Sequence, residues 1–210
     1  VWTNGGKMDY LERLCGRYPQ LEGVKNDIKR SYEIMKESYE NGGKVLTCGN
    51  GGSAADSEHI VGELMKGFYK KRPLPGHIKD VYGELAENLQ GALPAISLTG
   101  HPALATAFLN DVDPEMVFAQ QVYGYGKEGD VLIAMSTSGN SINVVNAAKV
   151  AKAKGMMVIG FTGSRGGRLK ELSDVCLTVP SDVTADIQEF HLPVYHTLCA
   201  MLEEHFFQEG

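Results

Sequence analysis

Two clusters of small polar residues have the composition of anion-binding loops. The first, Gly49–Ser53, reads Gly-Asn-Gly-Gly-Ser, and the second, Ser136–Ser141, reads Ser-Thr-Ser-Gly-Asn-Ser. Glycines let a backbone approach a ligand closely, and hydroxyls together with the N–H groups of a helix N-terminus bind phosphate without any charged side chain. Each cluster alone equally fits a tight turn or a helix N-cap. Two such clusters in one chain favour a site for a phosphorylated ligand.

Alternating strands and helices must position these clusters. Five short apolar runs are mostly continuous, as in parallel strands covered on both faces. They are Lys44–Cys48, Pro94–Leu98, Asp130–Met135, Met156–Phe161 and Val175–Val179. Helical patterns separate them, over Ala54–Lys70, Pro114–Tyr125, Ile142–Lys154, Arg168–Ser173 and Ala185–Phe207. The order predicts an α/β fold: a three-layer αβα sandwich with a doubly wound, five-stranded parallel sheet. A ligand then lies beyond the carboxyl ends of the strands, where both clusters fall.

Two further segments frame this sheet. Helical spacing over Met8–Arg17 and Tyr18–Asn41 predicts N-terminal helices within a segment 1–43, which must pack on the main domain, 44–210, or on another subunit. Residues 74–92 interrupt the alternation. They are predicted to be an insertion that holds a short helix, Ile78–Gln90, and acts as a lid or a subunit contact.

Composition excludes several classes of protein. Hydrophobic residues make up 43% and charged residues 22%, which excludes a disordered chain, and no apolar run has the roughly 18 residues that span a bilayer. The net charge of −6 argues against nucleic acid as a partner. The four cysteines are widely spaced without a Cys-x-x-Cys pair, and no signal peptide precedes the first helix, so we expect a cytoplasmic protein.

The motifs together resemble a known family. Neither a Walker loop nor a Gly-x-Gly-x-x-Gly fingerprint is present. Instead, the chain combines Cys48–Ser53, Asn110-Asp111, Gly129–Ser141 and the stretch Ile187–His196, Ile-Gln-Glu-Phe-His-Leu-Pro-Val-Tyr-His. This set, in this order, resembles the sugar isomerase (SIS) domain superfamily and, within it, the phosphoheptose isomerases. The resemblance implies an enzyme that interconverts sedoheptulose 7-phosphate and D-glycero-D-manno-heptose 7-phosphate, assembled as a homotetramer whose active sites are shared between subunits.

The resemblance also implies roles for individual residues. The positions that hold the substrate phosphate in the family correspond to Ser53, Ser136, Thr137, Ser138 and Ser141. The rest of the implied substrate-binding set is Asn50, Gly51, Gly52, Asp111 and Gln188. The implied acid–base pair is Glu63 and His196. In some members a zinc ion is held by residues that match His59, Glu63, Gln188 and His196.

The residue types agree with the implied acid–base pair. Aldose–ketose isomerisation moves a proton between adjacent carbons through an ene-diol, while a second proton moves between the two oxygens. It needs a carboxylate base and a group that exchanges protons near neutral pH, such as histidine. His59 and Glu63 are four residues apart and share a helix face. Two histidines, a glutamate and an amide oxygen suit zinc, although glutamine is a weak ligand and the ene-diol needs no metal. The sequence leaves zinc open.

Two alternative functions follow from the same residues. A non-catalytic relative that binds phosphosugars or associates with a replication initiator need not keep both Glu63 and His196, whereas this chain has both. An isomerase of another phosphosugar is the second alternative. In the family, Arg-Pro passes directly into Leu-Pro-Ala-Ile, but here residues 74–92 separate Arg72-Pro73 from Leu93–Ile96. An insertion beside the cleft can change which sugar fits.

Overall fold

Five strands form one parallel sheet in the computed structural model, which describes residues 8–207. They are β1 (Val45–Cys48), β2 (Ala95–Ser97), β3 (Val131–Met135), β4 (Met157–Thr162) and β5 (Val175–Thr178). Their spatial order is β2-β1-β3-β4-β5, and every neighbouring pair is parallel. In the register, Thr47 lies opposite Ser97 on one side and Ile133 on the other. Each predicted strand is confirmed, with bounds that differ by at most one residue.

Helices cover both faces of the sheet. They are α1 (Tyr10–Arg17), α2 (Lys25–Glu40), α3 (Gly52–Met65), α4 (Gly76–Tyr82), α5 (Pro102–Asp111), α6 (Val117–Tyr125), α7 (Ile142–Ala153), α8 (Gly167–Leu172) and α9 (Thr184–Phe206). Three short 3-10 segments, Pro19–Val24, Gly83–Glu87 and Pro114–Met116, join some of them. Within residues 8–207, no helix has the length and apolar character needed to cross a membrane.

Side chains of each strand alternate between two hydrophobic cores. In β3, Ile133 and Met135 enter the core formed with α1, α2, α3 and α9. Leu132 and Ala134 face the opposite core, formed with α6, α7 and α8. Successive residues of a strand point to opposite faces, so a strand buried on both sides must be apolar throughout. This arrangement confirms the predicted αβα sandwich.

The sheet has its topological switch point between β1 and β3. These strands are neighbours, yet the helix after β1 packs on one face and the helix after β3 on the other. The two connections therefore diverge and leave a crevice at the carboxyl ends of the strands, which is where doubly wound proteins bind ligands.

The N-terminal helices pack on the sheet. Leu14 of α1 and Ile28 and Met35 of α2 are buried in the same core as Ile133. The domain division at residues 43 and 44 stays a prediction, and its outer bounds, residues 1 and 210, lie outside the described residues.

The predicted end of the helix after the first loop is wrong. Helix α3 stops at Met65, and not at Lys70, because Lys66 is extended. The backbone N–H groups of Phe68, Tyr69 and Lys70 then donate to the Glu203 carboxylate at 2.8, 2.7 and 3.1 Å. The buried Glu203 carboxylate thus accepts hydrogen bonds from backbone N–H groups that would otherwise donate within a longer helix.

Two other helices depart from the predictions. Helix α5 was not predicted, and none of its ten residues is buried. In the proposed insertion, the helix spans Gly76–Tyr82 and a 3-10 segment follows, instead of one helix over Ile78–Gln90, because Gly83 adopts a φ of 56° and ends it. The base of this segment is closed by a bridge between Pro73 and Gln90. Its role as a lid or subunit contact stays a prediction.

Candidate active site

The two polar clusters lie side by side because β1 and β3 are adjacent. Asn50 of the first loop and Asn143 in the first turn of α7 form a reciprocal amide pair, each Nδ2 donating to the other's Oδ1 at 2.9 Å. This pair links the two loops across the crevice. Asn143 was not singled out from the sequence, although it lies two residues beyond the serine cluster.

The serine cluster is held in shape by its own hydroxyls. The Oγ atoms of Ser136 and Ser141 lie 2.9 Å apart, and the Ser141 N–H donates to the Ser136 hydroxyl at 3.3 Å. Gly139 adopts a φ of 68°, and a Cβ at this position would overlap the carbonyl oxygen of Gly166. Close contact with the loop after β4 therefore requires a glycine here.

A cavity beside this loop brings in a charged pair. Thr137 and Ser138 line it together with Arg165 and Asp182, whose side chains form an ion pair at 3.3 Å. The Arg165 guanidinium is largely exposed. A cation is thus available next to the serine cluster, and the sequence reasoning missed it.

Helices α3 and α9 pack side by side and run in the same direction, α3 from the first loop and α9 from Thr184, after β5. At their starts, a Cβ on Gly52 would lie 2.6 Å from Nε2 of Gln188, so the Gln188 amide rests directly on the backbone of α3. About two turns further along both helices, His59 meets His196. We call the first region, Gly49–Ser53 with Ser136–Ser141 and Gln188, the loop end, and the second, His59 with Glu63 and His196, the ionisable end.

Three of the four implied metal ligands meet at the ionisable end. His59 Nε2 lies 3.1 Å from Glu63 Oε1 and 3.4 Å from His196 Nε2. One ligand atom from each of the three residues lies within 4.8 Å of the other two. The Gln188 amide lies against Gly52 at the start of α3, and Gln188 precedes His196 by eight residues, which is about 12 Å of helix rise. The predicted acid–base pair, Glu63 and His196, is therefore brought together, and the implied role of Gln188 as a fourth metal ligand stays a prediction.

The ionisable end is partly shielded from solvent. The Glu63 side chain is 12% exposed and the His59 side chain 42% exposed. Burial, with His59 nearby, lowers the pKa of His196, and the Glu63 carboxylate only partly opposes this effect. The lowered pKa keeps the imidazole neutral at physiological pH, the state that accepts a proton. The ring of His196 also lines a cavity with Arg13 and Arg17 of α1.

Tyr195, which contacts His59, and Asp56, which contacts Tyr195, were both missed by sequence reasoning. The Tyr195 hydroxyl donates to Asp56 Oδ1 at 3.1 Å and lies 2.9 Å from His59 Nδ1. Burial, followed by the Asp56 charge, raises the pKa of Tyr195, so the phenol keeps its proton. Asp56 is three residues before His59, and Tyr195 directly precedes His196. Asp56 shares a helix face with His59 by spacing, but no sequence signal pairs it with Tyr195, 139 positions away.

A buried ion pair anchors the end of α3 that carries Glu63. Arg72 Nε lies 2.8 Å from Glu203 Oε1, with both side chains almost inaccessible. The remaining guanidinium nitrogens donate to the backbone carbonyl oxygens of Glu63 and Leu64, at 2.9 and 2.7 Å. The last carbonyl groups of a helix have no hydrogen-bond donors within the helix. Here the Arg72 guanidinium supplies those donors.

The hydrogen bond that the structure shows for the Asp111 side chain is to its neighbour in α5. Asp111 is exposed at the C-terminus of α5, and Asn110 Nδ2 donates to its carboxylate at 2.8 Å. No contact between Asp111 and either end occurs among the hydrogen bonds of residues 8–207. Its implied role with the sugar stays a prediction.

Comparison with known proteins identifies the family. The SIS domain model matches residues 9–79 and 76–163. The phosphoheptose isomerase of Burkholderia pseudomallei strain K96243 is 46% identical over 180 residues, 86% of this chain and 82% of the relative. That of Aneurinibacillus thermoaerophilus is 41% identical over 172 residues, 82% of this chain and 78% of the relative. The solved phosphoheptose isomerase from Neisseria gonorrhoeae superposes with a TM-score of 0.75 at 34% identity, covering 92% of this chain and 93% of that one.

These matches confirm the family expected from the sequence motifs. The fold and the crevice are those of a SIS domain, and the chain belongs to the phosphoheptose isomerase family of isomerases. The two parts of the SIS match meet at residues 76–79, inside the segment that the sequence suggested as an insertion.

Proposed function

We propose that this protein isomerises sedoheptulose 7-phosphate to D-glycero-D-manno-heptose 7-phosphate. One observation carries the proposal: the ends of the α3–α9 pair offer the two different chemistries that a phosphorylated ketose needs. The loop end offers hydroxyls, backbone N–H groups and an amide, and the ionisable end offers a carboxylate against an imidazole. The names of the relatives support the same substrate.

The loop end holds the phosphate. Ser53, Ser136, Thr137, Ser138 and Ser141 supply the hydroxyls, and Asn50, Gly51, Gly52 and Gln188 contact the chain that extends from it. Binding energy gained at the phosphate, far from the reacting carbons, then fixes the position of the carbonyl.

The ionisable end carries out the proton transfers. The Glu63 carboxylate takes a proton from C1, which leaves an ene-diol, and returns it to C2. Neutral His196 passes the second proton from the C1 hydroxyl to the oxygen on C2, so the ketone is consumed and an aldehyde forms at C1. Both groups are regenerated.

The donor set at the ionisable end fits zinc. Two imidazoles and a carboxylate lie within 4.8 Å of one another, and the facing ring nitrogens of His59 and His196, 3.4 Å apart, would both direct lone pairs at a shared cation. His59, Glu63 and His196 would hold the ion. Bound there, zinc would supply Lewis-acid polarisation of an oxygen, and this would replace the proton transfer by His196, whose lone pair the ion would occupy.

A direct assay tests the proposal. Purified protein is incubated with sedoheptulose 7-phosphate and aldose formation is followed. Glu63→Gln is expected to reduce turnover by about 10²–10⁴-fold while phosphosugar binding, measured by thermal shift, persists. The matched control is Glu58→Gln on the same helix, because Glu58 is exposed and accepts a hydrogen bond from Thr99 instead of joining the site.

Three results would count against it. Turnover that survives Glu63→Gln would remove Glu63 from the mechanism. If the protein turned over a different ketose phosphate in preference to the seven-carbon sugar, that other sugar phosphate would be the substrate. Binding without any turnover in the parent protein would favour the non-catalytic alternative.

We further propose that the protein is a cytoplasmic homotetramer. The four cysteines are all free thiols, which fits a reducing compartment. Helix α5 exposes Leu104 and Leu109, and Val112 beyond it is 66% exposed, which supports burial against another subunit. Sedimentation of the purified protein tests the assembly.

A further inference from the structure

A cavity of about 150 Å³ between α1 and α9 has a cationic wall. Arg13 and Arg17 of α1 line it, together with three tyrosines and the ring of His196. Buried apolar residues, among them Leu14 and Ala200, form another part of the lining. None of the lining residues within 8–207 is acidic, although the chain as a whole has a net charge of −6. We call this space the arginine cavity.

The two guanidinium groups of the cavity have no carboxylate partner. Arg13 and Arg17 are four residues apart and share a face of α1, and neither forms an ion pair with any residue of the range 8–207. Arg13 Nη1 contacts only a weak acceptor, Met8 Sδ, at 3.3 Å. The Arg17 guanidinium lies 5.3 Å from the centre of the Tyr18 ring. Both cations are therefore available to a ligand.

Carboxylates close to the cavity are engaged by other cations. Glu12, which precedes Arg13 in the sequence, pairs with Lys25 at 2.6 Å. Glu204 of α9 pairs with Lys70 at 2.8 Å. Like charges four residues apart on a helix repel each other. An anion bound between the two arginines would remove that repulsion.

The tyrosines add hydrogen-bond donors to the same cavity. Tyr10, Tyr18 and Tyr69 line it, and their hydroxyls have no hydrogen-bond partner in the part of the chain that the structure describes. The rings of Tyr10 and Tyr69 stack at a centroid distance of 6.1 Å, which places both phenols on one side of the cavity. Phenol hydroxyls and guanidinium groups both donate to phosphate oxygens.

We propose that the arginine cavity binds the phosphate group of a small molecule, as a second anion site separate from the loop end. Each guanidinium presents a planar fork of donors that matches a phosphate group, and two cations match the charge of a phosphate dianion. A single water needs only about 10–15 Å³, so the cavity has room for a tetrahedral anion. Tyr69 and Leu192 in its lining are exposed, so the ligand can enter from solvent.

His196 places this second site next to the ionisable end. Its ring lines the arginine cavity, and its Nε2 lies 3.4 Å from Nε2 of His59. Gln188 at the loop end precedes His196 by eight residues, about 12 Å of helix rise, so the serine cluster and the arginine cavity hold different phosphate groups. Binding in the cavity does not depend on the proposed function, whereas an effect of that binding on turnover would rest on it.

Arginine side-chain NMR can observe the two sites separately. The Nε–H signals of the six arginines are followed while inorganic phosphate is added to the full chain at about 0.15 M sodium chloride, which screens non-specific attraction. Arg13→Gln and Arg17→Gln assign the two signals of the cavity, which should shift together and saturate. Arg165, beside the serine cluster, reports on the loop end. The exposed Arg30 of α2 is the control and should not shift.

A second titration identifies the source of the phosphate group. Fructose 6-phosphate is the probe, and unphosphorylated fructose, which should cause no shift, is its control. Saturation of the Arg13 and Arg17 signals at a lower concentration of fructose 6-phosphate than of inorganic phosphate would assign a sugar phosphate as the ligand. The reverse order would assign the free ion.

Substitutions test whether the two arginines act together. In Arg17→Gln, the Arg13 signal should saturate at a phosphate concentration about 10-fold higher or more, because one set of charge-assisted hydrogen bonds is lost. Arg17→Lys keeps the charge without the fork and should lie between this variant and the parent. Arg30→Gln is the matched control and should leave the Arg13 titration unchanged.

Three results would overturn the proposal. The first is an absence of shifts for Arg13 and Arg17 in the parent throughout the phosphate titration, which is also what a cavity covered by another subunit would give. The second is a pair of shifts that never saturate. The third is equal phosphate affinity of the cavity in Arg17→Gln and Arg30→Gln. Absence of isomerase activity in the parent would instead count against the proposed function alone.

Discussion

The two ends of the α3–α9 pair solve different physical problems with different residues. The loop end uses neutral groups, which keep their state across a wide pH range, and it obtains its shape from glycines and from hydrogen bonds within the loops. The ionisable end uses groups whose protonation would change in the proposed proton transfers, and its shape depends on contacts between distant parts of the chain. The geometry of the proposed phosphate site thus comes mainly from contacts within the loops. The geometry of the proposed proton-transfer groups instead depends on the packing of distant segments. Changes at one end should therefore affect stability and turnover differently from changes at the other.

Breaking the buried ion pair between Arg72 and Glu203 should have the largest effect on stability. Arg72→Met leaves Glu203 buried without its cation and the carbonyls of Glu63 and Leu64 without a donor, so we expect a loss of about 3 kcal/mol in the free energy of unfolding, with reduced turnover. Urea denaturation measures it. Lys25→Met, which removes an exposed pair with Glu12, is the control and should leave the midpoint nearly unchanged. Equal midpoints for the two variants would contradict the anchor role.

A methyl group in the serine cluster tests the loop end. Gly139→Ala combines a positive φ with overlap on the Gly166 carbonyl, so we expect a loss of about 2–4 kcal/mol and weaker phosphosugar binding. Gly129→Ala is the matched control, since Gly129 has a φ of 83° with open space around it. The difference between their denaturation midpoints isolates the close contact. No difference would mean that the two loops move apart freely.

His191 lies on α9 between the two ends and should make stability depend on pH. Burial lowers its pKa from 6.5 to about 4, so the unfolded chain binds a proton that the folded protein excludes. Its contribution is present above pH 6.5 and is lost as the pH falls toward 4, with about 2 kcal/mol of destabilisation between pH 7 and 5. His191→Gln should flatten this part of the urea-denaturation profile. The exposed His77→Gln should not, and equal slopes in the two variants would exclude His191 as the source.

The smallest expected effect comes from the amide pair that joins the loops. Asn143→Ala removes both hydrogen bonds to Asn50, and we expect KM to rise by a factor that corresponds to about 1 kcal/mol, with kcat nearly unchanged. Steady-state kinetics measures KM and kcat separately. The control is Asn146→Ala on the same helix, since Asn146 donates a hydrogen bond to the Glu115 carbonyl instead. A fall in kcat with constant KM would show that the pair acts on the ionisable end.

The loop end was largely predictable from sequence. Its two clusters are contiguous, and the strands before them are apolar throughout, so their meeting at one edge followed from the order of elements. Asn143 was missed because its role depends on Asn50, 93 residues away, and glycine and serine patterns alone do not show such pairs.

The ionisable end could be predicted only in part. His59 and Glu63 share a helix face by spacing, and family motifs added His196. Asp56 and Tyr195 act through a hydroxyl that joins two helices, and the end of α3 is set by Glu203. Such interactions between residues more than 130 positions apart leave no periodic signal in the sequence.

The parallel course of α3 and α9 fixes the separation between the two parts of the proposed substrate site. Under the proposed function, helix α3 sets the distance between the bound phosphate and Glu63, because each residue of the helix adds about 1.5 Å of rise. A ketose with fewer carbons, gripped by its phosphate, would stop short of Glu63. Chain length would then be selected by backbone geometry, without a side chain that recognises each hydroxyl.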